Sequence, residues 1–148
     1  MISEIEQQSL DIDWFFSDAN NIAFVASGGG KLPKSIEKSK NYEILVLYFR
    51  NLPDISEIKL NEDLDKILKS KPDERYLNDF ITMARKGLYA FDKTVLNNFK
   101  DTNYHLVAFP VKPLSFSDLS QEIKSKLKET IINQKLYEIV NINSLEIS

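Results

Sequence analysis

Three groups of residues carry types that could do chemistry. The first is Ser27-Gly28-Gly29-Gly30-Lys31, which holds three of the four glycines in the chain. Glycines let backbone N–H groups approach an anion closely, and a helix start after them adds positive potential. A nucleotide phosphate loop, however, needs a glycine five positions before its Gly-Lys pair and Ser or Thr after the lysine. Val25 and Leu32 occupy those positions, so the pattern fails at both ends. A tight turn needing positive φ is the plainer expectation; close approach of a ligand is the alternative. The second group is Asp11, Asp13 and Asp18. Paired carboxylates can hold Mg²⁺ or Ca²⁺ or do acid–base work, and two acids on one strand face lie about 7 Å apart. The calcium-loop pattern, with its central Gly and final Glu, is absent, which leaves solvated outward acids as the expectation. The third is His105, the single histidine. Catalysis needs a constellation, and Tyr104 and Leu106 beside it place it in a strand as a packed residue.

Trp14, Phe15, Phe16 and Phe24 crowd the first two apolar runs. Stacking platforms for nucleic acid set aromatics beside basic residues, whereas here the neighbours are acidic. Core packing is expected, with one of the adjacent pair Trp14 and Phe15 turned outward as an anchor for a protein partner. No G-x-S-x-G elbow, H-E-x-x-H helix or dinucleotide fingerprint occurs. The candidates for ligand or partner contact are therefore Asp13, Trp14, Phe15, Asp18, Ser27, Gly28, Gly29, Gly30, Lys31 and His105. No catalytic set, metal or cofactor is expected.

These residues must be positioned by a domain of ordinary size. A chain of 148 residues buries about two thirds of its unfolded surface without help from a disulfide or metal. It has no cysteine, which removes disulfides, thiolate metal sites and cysteine nucleophiles together. The N-terminus has neither the basic residues nor the apolar run of a secretory signal, and no stretch approaches the length of a membrane span. The expected compartment is the cytoplasm. Net charge is −3 and the pI about 5.3, with lysines interleaved among acids, so no basic stripe for nucleic acid is present. The cluster Lys124, Lys126, Lys128 has Glu122 and Glu129 beside it and reads as a solvated helix face.

The chain reads as one α+β domain over 1–148, with disorder expected at most over Met1–Ser9. Leu10, Ile12, Trp14 and Phe16 alternate with Asp11 and Asp13, which predicts a half-buried strand. The Ser17–Asn21 stretch is turn chemistry, and Ile22–Ala26 completes an N-terminal β-hairpin. Ser35–Arg50 reads as a helix, broken at Asn51-Leu52-Pro53; Ile55, Ile58 and Leu60 lie in a segment without assignment. Glu62–Lys69 predicts a short helix and Asp73–Lys86 a longer one stopped by Gly87. Leu88–Phe91 and Tyr104–Val111 follow as strands, with Pro110 and Pro113 marking an end or an edge. A helix capped by Ser117 or Asp118 is expected to run to about Ile132, with Leu119, Ile123, Leu127 and Ile131 as its apolar stripe. Leu136–Ile142 is expected as the last strand. Hairpins segregated from helices point to a mostly antiparallel sheet with helices packed on it.

Two blocks of the chain resemble a group of small bacterial proteins. The first is Asp13-Trp14-Phe15 with Asp18, then Ile22-Ala23, Ser27-Gly28-Gly29 and Pro33. The second is Gly87-Leu88-Tyr89-Ala90-Phe91-Asp92, then Tyr104, Val107-Ala108, Pro110, Lys112-Pro113-Leu114, Asp118-Leu119 and Ile123. That group is similar to immunity-type proteins of contact-dependent toxin systems. The resemblance covers roughly residues 1–36 and 87–123; Asn51–Lys86 has no part in it, and Ser120 stands where the group often has Pro. It attaches no catalytic role to any position and implies a protein-binding, inhibitory function. The acidic balance and the missing motifs favour the same reading; the alternative is a small-molecule or anion-binding protein, or an enzyme, that uses the loop at 27–31.

Overall fold

The computed structural model describes residues 2–39, 42–129 and 135–147. The first element is helix α1, Glu4–Ser9. Its start is a capping box: the Ser3 hydroxyl accepts from the Glu6 N–H at 3.2 Å while the Glu6 carboxylate accepts from the Ser3 N–H at 3.4 Å. Gln7, fully buried, ties α1 down by donating to the Ile2 carbonyl and accepting from the Leu32 N–H.

Strands β1 (Asp13–Ser17) and β2 (Ile22–Ala26) form the expected hairpin, in register from Asp13↔Ala26 to Ser17↔Ile22. Asp18 shapes the turn between them. One of its oxygens accepts from the Asn20 and Asn21 N–H groups at 2.8 and 2.7 Å, and Ala19 adopts φ 75°. The chain then runs through α2 (Lys34–Glu37), α3 (Tyr42–Arg50), β3 (Ile58–Leu60), α4 (Leu64–Leu68) and α5 (Glu74–Arg85). It returns to the sheet as β4 (Tyr89–Lys93), parallel to β2, and continues as β5 (Asn103–Pro110), antiparallel to β4. A 3₁₀ turn at Phe116–Asp118 precedes α6 (Gln121–Lys126) and β6 (Lys128–Glu129), which pairs parallel to β1. A second 3₁₀ turn, Leu136–Glu138, precedes β7 (Asn141–Asn143), antiparallel to β5. The sheet order is β3-β5-β4-β2-β1-β6, with β7 also on β5.

The fold is α+β with a mixed, mostly antiparallel sheet that begins with the β1–β2 hairpin. The long β2-to-β4 connection explains the parallel pair, since parallel neighbours require a crossover and α3 and α5 supply one. Among the described residues no helix is long and apolar enough to cross a membrane.

Both faces of this sheet are buried. Phe15, Phe24, Ala90 and Val107 pack with Leu45 and Phe49 of α3 and Leu77, Phe80 and Met83 of α5. Trp14, Phe16, Val25, Phe91 and Tyr104 pack on the opposite side with Ile2, Leu32, Ile36 and the C-terminal Leu136, Ile139, Ile142 and Ile147. Successive residues of β1 therefore enter opposite cores. This corrects the expectation that Trp14 or Phe15 faces outward: each is 1% exposed. Phe15 stacks 4.6 Å from the Phe49 ring. Alternation identifies two faces of a strand but not whether either meets water, and here each face has its own covering layer.

Other expectations shift locally. The Ser35–Arg50 helix is two helices, Lys34–Glu37 and Tyr42–Arg50, with 40–41 outside the described residues. The unassigned segment contains strand β3. The helix expected from Ser117 starts later, at Gln121, because the Ser120 hydroxyl accepts from the Ile123 N–H and is its N-cap. That helix is closed by Leu127 in extended conformation, while Ile131 and Ile132 lie outside the described residues. Leu136–Ile142 is a 3₁₀ turn followed by a short strand rather than one strand. β5 does end at Pro110, but it is not an edge: β4 pairs with one side of it and β3 and β7 with the other. The long α5 keeps its Asp73 cap, which accepts from the Tyr76 N–H at 2.8 Å, and Gly87 ends it at φ 94°.

Candidate functional site

The glycine turn is built around an internal side chain. Gly28 and Gly29 have φ of 56° and 74°, the left-handed backbone that glycine adopts without strain. Four neighbouring N–H groups are already committed. Gly28 donates to Asp11 Oδ1 at 3.0 Å, Gly30 to the Ser27 carbonyl at 2.8 Å, Lys31 to the Phe99 carbonyl at 3.0 Å and Leu32 to Gln7 Oε1 at 2.9 Å. Ser27 is fully buried, and its hydroxyl accepts from the Ile12 N–H at 2.7 Å. Lys31 lies 3.5 Å from both Glu4 and Glu37 and over the Phe99 ring. The helix that follows, α2, has only four residues.

Lys93, at the end of β4, packs against two of the turn's glycines, while Gly29 faces the Gln8 carbonyl. A Cβ on Gly28 would sit 3.1 Å from Lys93 Cβ, and one on Gly30 only 2.8 Å from its Nζ. The lysine crosses the turn where side chains are missing. It is 2% exposed, its ammonium donates to the Asp101 carbonyl, and it lies 5.8 Å from the centre of the Tyr104 ring. Burial pulls its pKa below the ordinary lysine value, with Asp101 and Asp92 acting the other way. Beside it, Gln8, Gly28, Gly29, Asn97, Asn98 and Phe99 line an open surface cavity of about 210 Å³.

A second polar group runs across the sheet on the α3–α5 side. Strand pairing sets Asp13, Ala26, Asp92 and His105 in one row across β1, β2, β4 and β5. Asp13 Oδ2 accepts from Arg50 Nε and Nη2 at 3.0 and 2.8 Å, and the same guanidinium grips Asp79 of α5 and lies 5.2 Å from the centre of the Phe24 ring. These contacts, Asp79 foremost, hold the Arg50 pKa above its ordinary value. Asp92 accepts from the Tyr76 hydroxyl at 2.6 Å and from the Lys93 N–H at 2.9 Å; burial nevertheless pushes its carboxyl up to about 6. His105 is fully buried, with Nδ1 3.0 Å from the Thr94 hydroxyl and Nε2 unpartnered among the described residues. Burial pulls it down to about 4, so the ring is neutral at pH 7. A histidine with no exposed surface has no route to a substrate in solution.

The three aspartates are separated rather than clustered. Asp11 holds Gly28, Asp13 holds Arg50, and Asp18 holds the hairpin turn and the Leu136 N–H at 2.8 Å. No group of three acids or histidines suited to a metal occurs among the described residues.

The third feature is apolar. Between β5 and the Leu136–Glu138 turn lies an open groove of about 310 Å³. Tyr89, Leu106, Pro110, Leu136 and Ile139 are its buried residues, and Phe109 and Pro113 also line it. Val111, Tyr137 and Val140, also part of it, are 55%, 70% and 53% exposed, and Lys59 is its one charged lining residue.

Of the residues singled out in the sequence, the fold joins the glycine turn to a cavity and places Asp13 and His105 in one row. Trp14, Phe15 and Asp18 serve the core and the hairpin. Sequence reasoning missed Lys93, Asp92, Tyr76, Arg50 and Tyr137. An Asp-Lys pair closing the apolar run Leu88–Phe91 was a usable signal for two of them, since charges at the end of a buried strand need a partner. Nothing local marks Tyr137. No family model, curated protein or solved structure matches the chain.

Proposed function

We propose that the chain is a non-enzymatic protein-binding module that masks a partner protein, in the manner of an immunity protein. The observation that carries this is the apolar groove with exposed Tyr137, Val140 and Val111 around it. Binding energy at protein interfaces concentrates in aromatic anchors beside well-packed apolar pockets with a polar surround. The groove is open and its exposed side chains project to solvent, which suits a partner's surface better than a small enclosed ligand. The net charge of −3 and pI of about 5.3 favour a basic partner and would speed its association at low salt. The resemblance of the two sequence blocks points the same way.

The test begins with a photo-crosslinking amino acid at position 137 in the native host, followed by purification of the captured partner. Its affinity is then measured against the wild type, Tyr137→Ala and Val140→Lys, and its own activity with and without the bound chain. Loss of an anchor of this kind weakens binding about 10- to 100-fold. A partner that ignores both substitutions, or the absence of any stoichiometric crosslink, would remove the basis for this function.

A further inference from the structure

Lys93 is a buried cation with no carboxylate in ion-pair contact among the described residues, although the charges of Asp101 and Asp92 favour it from further off. Burying an ammonium is costly unless it is paired and hydrogen-bonded. Here one of its three N–H donors meets the Asp101 carbonyl, and no carboxylate forms an ion pair with it among the described residues. The nearby acids are turned elsewhere. Asp101 accepts from the Asn103 N–H at 3.0 Å, Asp92 from Tyr76, and Asp11 from Gly28.

Lys93 forms part of the wall of the cavity beside the glycine turn. Other uncommitted donors share that wall. The Gly29 N–H is the one amide of the turn without a partner among the described residues, and the exposed side-chain amides of Asn97 and Asn98 at the rim bond no protein group among them. Phe99 adds an apolar side. A lysine, a left-handed glycine amide and two carboxamides around one small cavity make a donor-rich site.

We propose that this cavity binds a small oxyanion, the carboxylate or phosphate group of a metabolite, with Lys93 as its counter-ion. The recognition differs from that of a phosphate loop. Gly28 and Gly30 leave room for the lysine to pass, and only the Gly29 amide remains for the ligand. Asp11, bonded to Gly28, and Asp101, whose carbonyl holds Lys93, oppose part of the attraction, so each probe is titrated until its response saturates.

Thermal unfolding tests this with inorganic phosphate and acetate as probes, against chloride at matched ionic strength. Because a ligand of the folded state alone raises Tm, a probe at about ten times its Kd should raise it by about 3–5 °C. The larger rise identifies phosphate or carboxylate chemistry. Lys93→Met should abolish the response. Asn97→Gly keeps the left-handed backbone at φ 60° and should weaken it severalfold. No rise beyond chloride with either probe, or the same rise in Lys93→Met, overturns the proposal. If Lys93→Met does not fold, an undiminished response in Asn97→Gly does so.

Discussion

Asp92 and His105 face each other across β4 and β5, and their burial moves them in opposite directions. Asp92 titrates near 6 in the fold instead of 3.8. Its contribution to stability is therefore present below about 3.8 and lost as pH rises through about 6. At about 1.4 kcal/mol per pH unit, the loss is about 3 kcal/mol. His105 titrates near 4 instead of 6.5. Its contribution is present above about 6.5 and lost as pH falls through about 4, again by about 3 kcal/mol. Between these limits the folded pair is neutral while the unfolded chain carries Asp⁻ and His⁺. Both states hold one proton, so the pair leaves stability nearly independent of pH. Removing one member exposes the other. Relative to wild type, Asp92→Asn should gain about 3 kcal/mol between pH 4 and 6.5, and His105→Gln should lose about 3 kcal/mol over the same range. Urea unfolding followed by the fluorescence of Trp14, the single tryptophan, gives both curves. Two variants that stay parallel to wild type across this range would refute the pairing; so would slopes of the same sign.

Two further substitutions probe how the sites are held. Gly87→Ala places a Cβ 2.5 Å from the Leu114 nitrogen at φ 94°, a backbone clash added to about 1–3 kcal/mol of conformational strain; a fall in the urea midpoint should show it, and an unchanged midpoint would disprove the close approach. Ser27→Ala leaves the Ile12 N–H without its side-chain acceptor and should cost about 1–3 kcal/mol, with faster amide exchange at Ile12 as a local readout.

Elements bounded by their own turn and cap residues were legible in the sequence. Alternation at Ile12, Trp14 and Phe16, followed by turn residues through Asn21, specifies the hairpin because strand periodicity and turn chemistry act over a few residues. Asp73 and Gly87 likewise bound α5, since a cap satisfies amides within one turn of itself. The left-handed glycine turn was legible for the same reason. Whether Phe15 meets water was not legible, because that depends on α3 arriving from later in the chain to cover its face. The row Asp13, Ala26, Asp92 and His105 exists only once β2 pairs with β4 and β4 with β5. Gly30 has no positive φ of its own; its missing side chain makes room for Lys93, a contact between residues 63 positions apart. Local chemistry is written in neighbouring residues, whereas burial, and with it the pKa values and the lack of an ion pair at Lys93, is set by which distant segments close over each face of the sheet.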